Sequence, residues 1–178
     1  MSKNKLPSLH IGNLEINPPI IQGGMGVRVS RAKLAAAVAN QGAAGVIASV
    51  GLGKYEDAPA SQFAELNELE LRAQIRKARK ATNGVIGVNA MVALSNYENL
   101  VRASADEGVD LIISGAGLPL ELPKFTAGSD VKLVPIVSSG RALKVICKKW
   151  KRNYDRLPDA VVVEGSKQAG ILVLTPMI

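Results

Sequence analysis

Short apolar runs rich in valine and isoleucine alternate along this chain with longer segments whose apolar residues recur every three or four positions. Ile20-Ile21 runs into Gln22-Gly23-Gly24, and a helix follows over residues 30–40, with Ser30 as its cap and Leu34 and Val38 on one face. Gly42 closes that helix. Gly45-Val46-Ile47-Ala48 is the next strand, residues 51–60 a loop and residues 66–82 a long helix stopped by Asn83-Gly84. Val85-Ile86-Gly87-Val88-Asn89 precedes a helix over residues 95–107, capped by Ser95 and ended by Gly108. Val109-Asp110-Leu111-Ile112-Ile113 precedes Ser114-Gly115-Ala116-Gly117 and a short helix within residues 118–125. Residues 132–137 form a fifth strand. A basic helix over residues 140–154 carries Leu143, Ile146, Cys147 and Trp150 on its apolar stripe, and residues 159–163 form a sixth strand.

Strands apolar on both faces belong to a parallel sheet covered by helices. Right-handed crossovers then curl the sheet into a barrel or spread it into a doubly wound layer. Even strand spacing favours the barrel. So do the polar or glycine residues after almost every strand: Gln22-Gly23-Gly24, Ser49, Asn89, Ser114-Gly115, Ser138-Ser139 and Glu164-Gly165. A barrel gathers those ends into one mouth, where such enzymes do their chemistry. Upstream, residues 9–16 alternate around Gly12-Asn13 and predict a hairpin that plugs the opposite end, with His10 in a structural role. The prediction is an α/β fold, an incomplete (β/α)8 barrel of six parallel strands with outer helices and an N-terminal hairpin. One domain spans residues 1–178.

Composition removes several alternatives. The single cysteine, Cys147, excludes a disulfide framework and a multi-cysteine zinc site, and the single histidine excludes any site needing two. The charge of +7 comes from 22 basic against 15 acidic residues. Its clusters lie on two helical stretches without interleaved aromatic rings, which reads as solvated helix surface and not as a nucleic-acid platform. No apolar run approaches the ~20 residues of a membrane span. The expected setting is cytoplasmic.

Five strand-end motifs carry a family resemblance. Pro19-Ile20-Ile21-Gln22-Gly23-Gly24-Met25-Gly26-Val27 resembles the opening motif of the nitronate monooxygenases, also called 2-nitropropane dioxygenases. Gly87-Val88-Asn89-Ala90-Met91 and residues 110–119 resemble the third and fourth strand motifs. Pro135-Ile136-Val137-Ser138-Ser139 and residues 159–165 resemble the fifth and sixth. The resemblance implies an FMN-dependent barrel that oxidises alkyl nitronates or nitroalkanes with O2 to carbonyl compounds and nitrite. A flavin-dependent enoyl-ACP reductase relative is the alternative, and a non-catalytic remnant a third. The family asparagine contacts FMN, a role carried to Asn89. Gly23 and Gly24 let backbone approach a flat ring, and Met25, Gly115, Ser138 and Glu164 line the same mouth.

The tail departs from the family. After Glu164-Gly165 the family has Gly-Gly-His, whose histidine handles the proton; here residues 166–178 contain no histidine. The expected catalytic set is therefore empty. Synonymous codons exist for the tail that, read from the third base, give Gln-Thr-Gly-Gly-His-Phe-Gly. A one-base frameshift is the cause this suggests. A full barrel takes ~250 residues. The expectation is a truncated N-terminal part with an aberrant tail, weak hold on FMN and little activity.

Overall fold

The structure, a computed structural model, describes residues 6–56, 58–165 and 173–176. Strands β1 (Leu9–Ile11) and β2 (Leu14–Ile16) pair antiparallel across a two-residue turn. Gly12 takes φ 58° at the first turn position, where a side chain would be strained. The main sheet contains β3 (Gly45–Ala48), β4 (Ile86–Met91), β5 (Leu111–Gly115), β6 (Lys132–Val137), β7 (Ala160–Val163) and β8 (Val173–Pro176), adjacent in that order. Strands β3 to β7 are parallel, and β8 runs antiparallel beside β7. The helices are α1 (Ala32–Ala39), α2 (Phe63–Ala81), α3 (Tyr97–Asp106), α4 (Leu122–Phe125) and α5 (Gly140–Tyr154). This is an incomplete (β/α)8 barrel, as the alternation predicts.

Alternate strand residues serve two cores. Ile47, Ile86, Val88, Ile112, Leu133 and Val161 face outward and pack with helix residues such as Leu71, Ile75, Leu100 and Trp150. Val46, Leu111, Ile113, Val134, Ala160 and Val162 face inward. The hairpin seals that inner layer from below, with Ile11 and Ile16 fully buried in it. Both strand faces are apolar for that reason. His10 is exposed on the hairpin opposite Glu15, far from the mouth.

Helix α5 shows local sequence and packing acting together. Ser139 Oγ accepts from Ala142 N at its start, and Lys151 and Arg152 lie in the last turn, where positive charge suits the helix dipole. Ile146 and Trp150, four residues apart, enter the core, and the Trp150 indole donates to Pro119 O at 2.9 Å. Leu143 and Cys147 of the same stripe are only half-buried. The basic cluster on α2 is engaged with α3 and the following loop: Arg72 pairs with Asp106 at 3.1 Å, Arg76 with Glu107 at 2.6 Å and Arg79 with Asp110 at 2.8 Å. Among the described residues no helix is long and apolar enough to cross a membrane.

Several expectations need correction. The strand anticipated at Ile20-Ile21 is a single parallel bridge, Ile21 to Ala44. Gln22 N donates to Ala44 O at 3.0 Å, and the chain then leaves the sheet for the glycine turn. The sixth member of the sheet is instead β8, within the tail, so the outer edge of β7 is paired and not open. The rest of the tail, residues 166–172 and 177–178, lies outside the described residues. Ser30 and Ser95 do not cap α1 and α3, whose caps are Arg31 and Asn96, neither with a side-chain capping bond. Ser30 uses its hydroxyl in the preceding loop.

At the N-terminal ends of the strands one device appears twice. Asp110 Oδ2 accepts from Ile86 N at 2.7 Å and pairs with Arg79, which also donates to Gly84 O and Gly108 O. Asp159 Oδ2 accepts from Leu133 N at 2.7 Å and pairs with Arg156, which also donates to Val131 O. Each carboxylate satisfies an amide at the start of the neighbouring strand, and each arginine satisfies nearby carbonyls.

Candidate functional site

The opposite, C-terminal ends of the strands carry the candidate residues. Gly23, Gly24 and Met25 follow the Ile21 bridge in an exposed turn, and Asn89 lies near the end of β4, half-buried. The outward residues of β4 are Val88 and Ala90 in their alternation around Asn89, so Asn89 points to the interior side. Its side chain meets Gly24: a Cβ on Gly24 would lie 2.5 Å from Asn89 Cβ and 3.4 Å from Oδ1. Only a glycine backbone can pass so close. A Cβ on Gly23, in contrast, would have nothing within 4 Å. Among the described residues the Asn89 amide has no hydrogen-bond partner, while its backbone carbonyl accepts from Ser49 N at 3.0 Å. The result is a bare stretch of backbone beside a free amide with one donor face and one acceptor face.

The other expected residues lie at the same end without touching this pair. Gly115 is buried opposite Met91, and its missing side chain makes room for Ile136, whose Cβ would lie 2.8 Å away. Packing between β5 and β6 thus explains this glycine. Ser138 is exposed just past β6, and Glu164, just past β7, is half-buried with its N–H donating to Val137 O at 2.9 Å. Met25 is 63% exposed.

Sequence reasoning missed what shapes the turn. Val27 and Arg28 both take left-handed conformations, with φ 50° and 66°. Such residues cost about 1–3 kcal/mol each and persist only where surrounding structure holds them. The Arg28 side chain does part of this: its Nε donates to Gly53 O at 3.2 Å, and its guanidinium pairs with Glu56 at 3.0 Å beside the Tyr55 ring. The Glu56 carboxyl is held below its ordinary value, first by its own backbone hydrogen bond and then by Arg28. Gln22 and Ser30 hold the turn from within. Nothing in the run Val-Arg-Val signals left-handed backbone, because the device depends on contacts with residues 50–56.

A separate buried polar pair lies behind β5. The Tyr97 hydroxyl and Ser114 Oγ are 2.8 Å apart, and burial pushes the phenol up to about 12 despite that bond. Tyr97 remains neutral there and supports the outer core beside Phe125. A groove of about 790 Å³ lies at the other end of the sheet, among Asn13, Asp110, Asp130 and Lys132. It is far from Gly24 and Asn89, and at that end of a barrel the residues serve stability.

Comparison with known proteins agrees with this fold. A mutant form of FabK from Thermotoga maritima superposes with a TM-score of 0.64 at 27% identity, over 83% of this chain and 42% of that one. A second FabK structure from the same organism gives 0.63 at 26% identity, over 83% and 40%. A nitroalkane oxidase from Streptomyces ansochromogenes gives 0.63 at 17% identity, over 83% and 46%, a likeness of fold alone. The chain therefore spans less than half the length of these solved relatives. No curated protein sequence matches it. The family model for nitronate monooxygenase matches residues 8–172, from the hairpin through every strand-end motif described above. The chain belongs to the nitronate monooxygenase family.

Proposed function

We propose that this chain forms the ring-binding part of an FMN-dependent nitronate monooxygenase acting on small alkyl nitronates or nitroalkanes with O2. The observation that carries the reading is the contact of Gly24 with Asn89 beside the bare backbone of Gly23. These residues fit a flavin. Gly23 leaves open space for a flat ring, and the Asn89 amide can donate to and accept from its polar edge. FMN would supply the redox chemistry, carrying electrons from the substrate to O2 as nitrite and a carbonyl compound form.

The chain's own residues bind and orient. Gly23 and Gly24 offer main chain, Asn89 sets the ring's rotation, and the exposed Met25 side chain can cover one face. Ser138 and Glu164 belong to the proposed mouth as its outer lining, and Gly115 beneath them serves the packing of β5 on β6. A neutral nitroalkane must also lose a proton, whereas a nitronate is already ionised. His10, the only histidine of the sequence, lies on the hairpin at the far end. Localisation in the cytoplasm belongs to the same proposal.

The test is titration of the purified chain with FMN, followed near 450 nm, and then a nitrite assay with propyl nitronate in air. A weak but saturable flavin band and slow nitrite release proportional to bound flavin are the expected results. Absence of saturable binding would remove the reading. NADPH oxidation with an enoyl thioester, without nitrite release, would replace it with the enoyl-ACP reductase alternative.

A further inference from the structure

We propose that Gln22 and Ser30 are positioning residues that fix the Gly23–Met25 backbone as a seat for the flavin ring without touching the ring. This rests on the flavin reading above. Ser30 is 1% exposed, and its hydroxyl is fully used. It accepts from Met25 N at 2.9 Å and from Gln22 Nε2 at 2.9 Å, and it donates to Gly23 O at 3.2 Å. One donor and two acceptor positions are all that a hydroxyl has. Gln22 is as fully committed: both Nε2 hydrogens are taken, by Gly23 O at 2.7 Å and by Ser30 Oγ, and Oε1 accepts from Val46 N at 3.1 Å. The backbone closes the ring, with Ser30 N donating to Met25 O at 2.9 Å and Ala48 N to Ser30 O at 3.1 Å.

The network ties the exposed turn to β3 at two places, Val46 and Ala48. The tie matters because the turn contains two consecutive non-glycine residues in left-handed backbone, Val27 and Arg28. A loop that departs this far from ordinary backbone relaxes when its constraints are cut. Gly24 would then move off Asn89, and the two halves of the proposed seat would separate. Orientation of the Gly23 carbonyl is the specific quantity at stake, since two side-chain donors converge on that one oxygen. Binding of a rigid planar ligand is sensitive to such small displacements of its seat.

The experiment compares the full chain with Ser30→Ala, Ser30→Thr and Gln22→Glu. Three readouts are taken: FMN affinity by fluorescence quenching, the shape of the bound-flavin band near 450 nm, and amide exchange at Met25 without ligand. The expected result for Ser30→Ala is at least tenfold weaker FMN, an altered flavin band and at least tenfold faster exchange at Met25. Ser30→Thr, which keeps the hydroxyl, restores all three. Gln22→Glu, which loses both donors, behaves like Ser30→Ala, and these two variants still decide the matter if Ser30→Ala does not fold. Lower thermal stability with unchanged FMN affinity and spectrum would reduce the pair to a structural role and overturn the proposal. If the unmodified chain binds no FMN, the functional reading fails separately. Met25 exchange then decides whether the network fixes the turn, and unchanged exchange in Ser30→Ala overturns that too.

Discussion

The two ends of the sheet are built from different chemistry. At the base, carboxylates and guanidinium groups are paired with main-chain amides and carbonyls, and the hairpin buries Ile11 and Ile16 beneath the inner layer. At the mouth, glycines replace side chains, the Asn89 amide has no partner among the described residues, and Met25 and Val27 are 63% and 76% exposed. At the base, Asp110 and Asp159 satisfy strand amides and arginines of the protein itself. The mouth leaves polar groups and apolar surface available to something else. The lesson is that the base spends its carboxylates on strand amides, whereas the mouth spends its side chains on shaping exposed backbone.

Mutation can break that contrast. The largest effect belongs to Leu111→Ala, at a fully buried inner-layer position just above the hairpin. A loss of about 2–5 kcal/mol in unfolding free energy, read from a urea transition, is the expected outcome. Asp110→Ala comes next, at about 1–3 kcal/mol, because it strands the Ile86 amide and removes the carboxylate partner of Arg79. Its FMN affinity should equal that of the parent wherever it remains folded. A change in affinity there would show that the ends are not separable. Gly24→Ala is the converse. The added methyl would lie 2.5 Å from Asn89 Cβ, so the exposed turn must shift. FMN binding should fall at least tenfold while the urea midpoint moves by about 1 kcal/mol or less.

Acid sharpens the comparison further. Hydrogen bonding and charge from Arg76, then Arg72, hold the Glu107 carboxyl below its ordinary value of 4.5. The folded protein therefore binds fewer protons at this group than the unfolded chain. The stability it contributes is present above about pH 4.5 and disappears as pH falls through the lowered folded value. Glu107→Gln should flatten this acid limb, by well under ~1 kcal/mol given the exposure of Arg76. Smallest of all is His10→Ala, at an exposed hairpin position. Stability should change by less than about 0.5 kcal/mol and FMN affinity not at all.

Much of the base was legible in the sequence. The turn at Gly12-Asn13 and the apolar alternation at residues 9–16 predict the hairpin, because its chemistry is local. Helix α5 begins and ends where its pattern predicts, at Gly140 and Tyr154. Ser30 has the local signature of a cap, a serine before an apolar helix, but Gln22 Nε2 and Met25 N occupy its hydroxyl oxygen instead of the helix amides. The bridge at Ile21 was overestimated because apolar content does not reveal that the chain turns away after one residue. Strand β8 was hidden by the family pattern expected after Glu164. The contact of Gly24 with Asn89 could be anticipated only because the Ile21 bridge and the end of β4 lie at the same rim.

The repeated aspartate device bears on how the chain assembles. Asp110 and Asp159 reach amides 24 and 26 residues upstream, so each closes one strand–helix–strand unit on itself. Closing loops of similar, moderate length costs nearly the same entropy each time, since doubling a loop adds only about 0.6 kcal/mol. The sheet is thus suited to grow one strand at a time, with each carboxylate fixing the register of the strand just added. Pulse-labelling during refolding should protect the Ile86 and Leu133 amides together with their own units, and simultaneous protection across all strands would rule out stepwise growth.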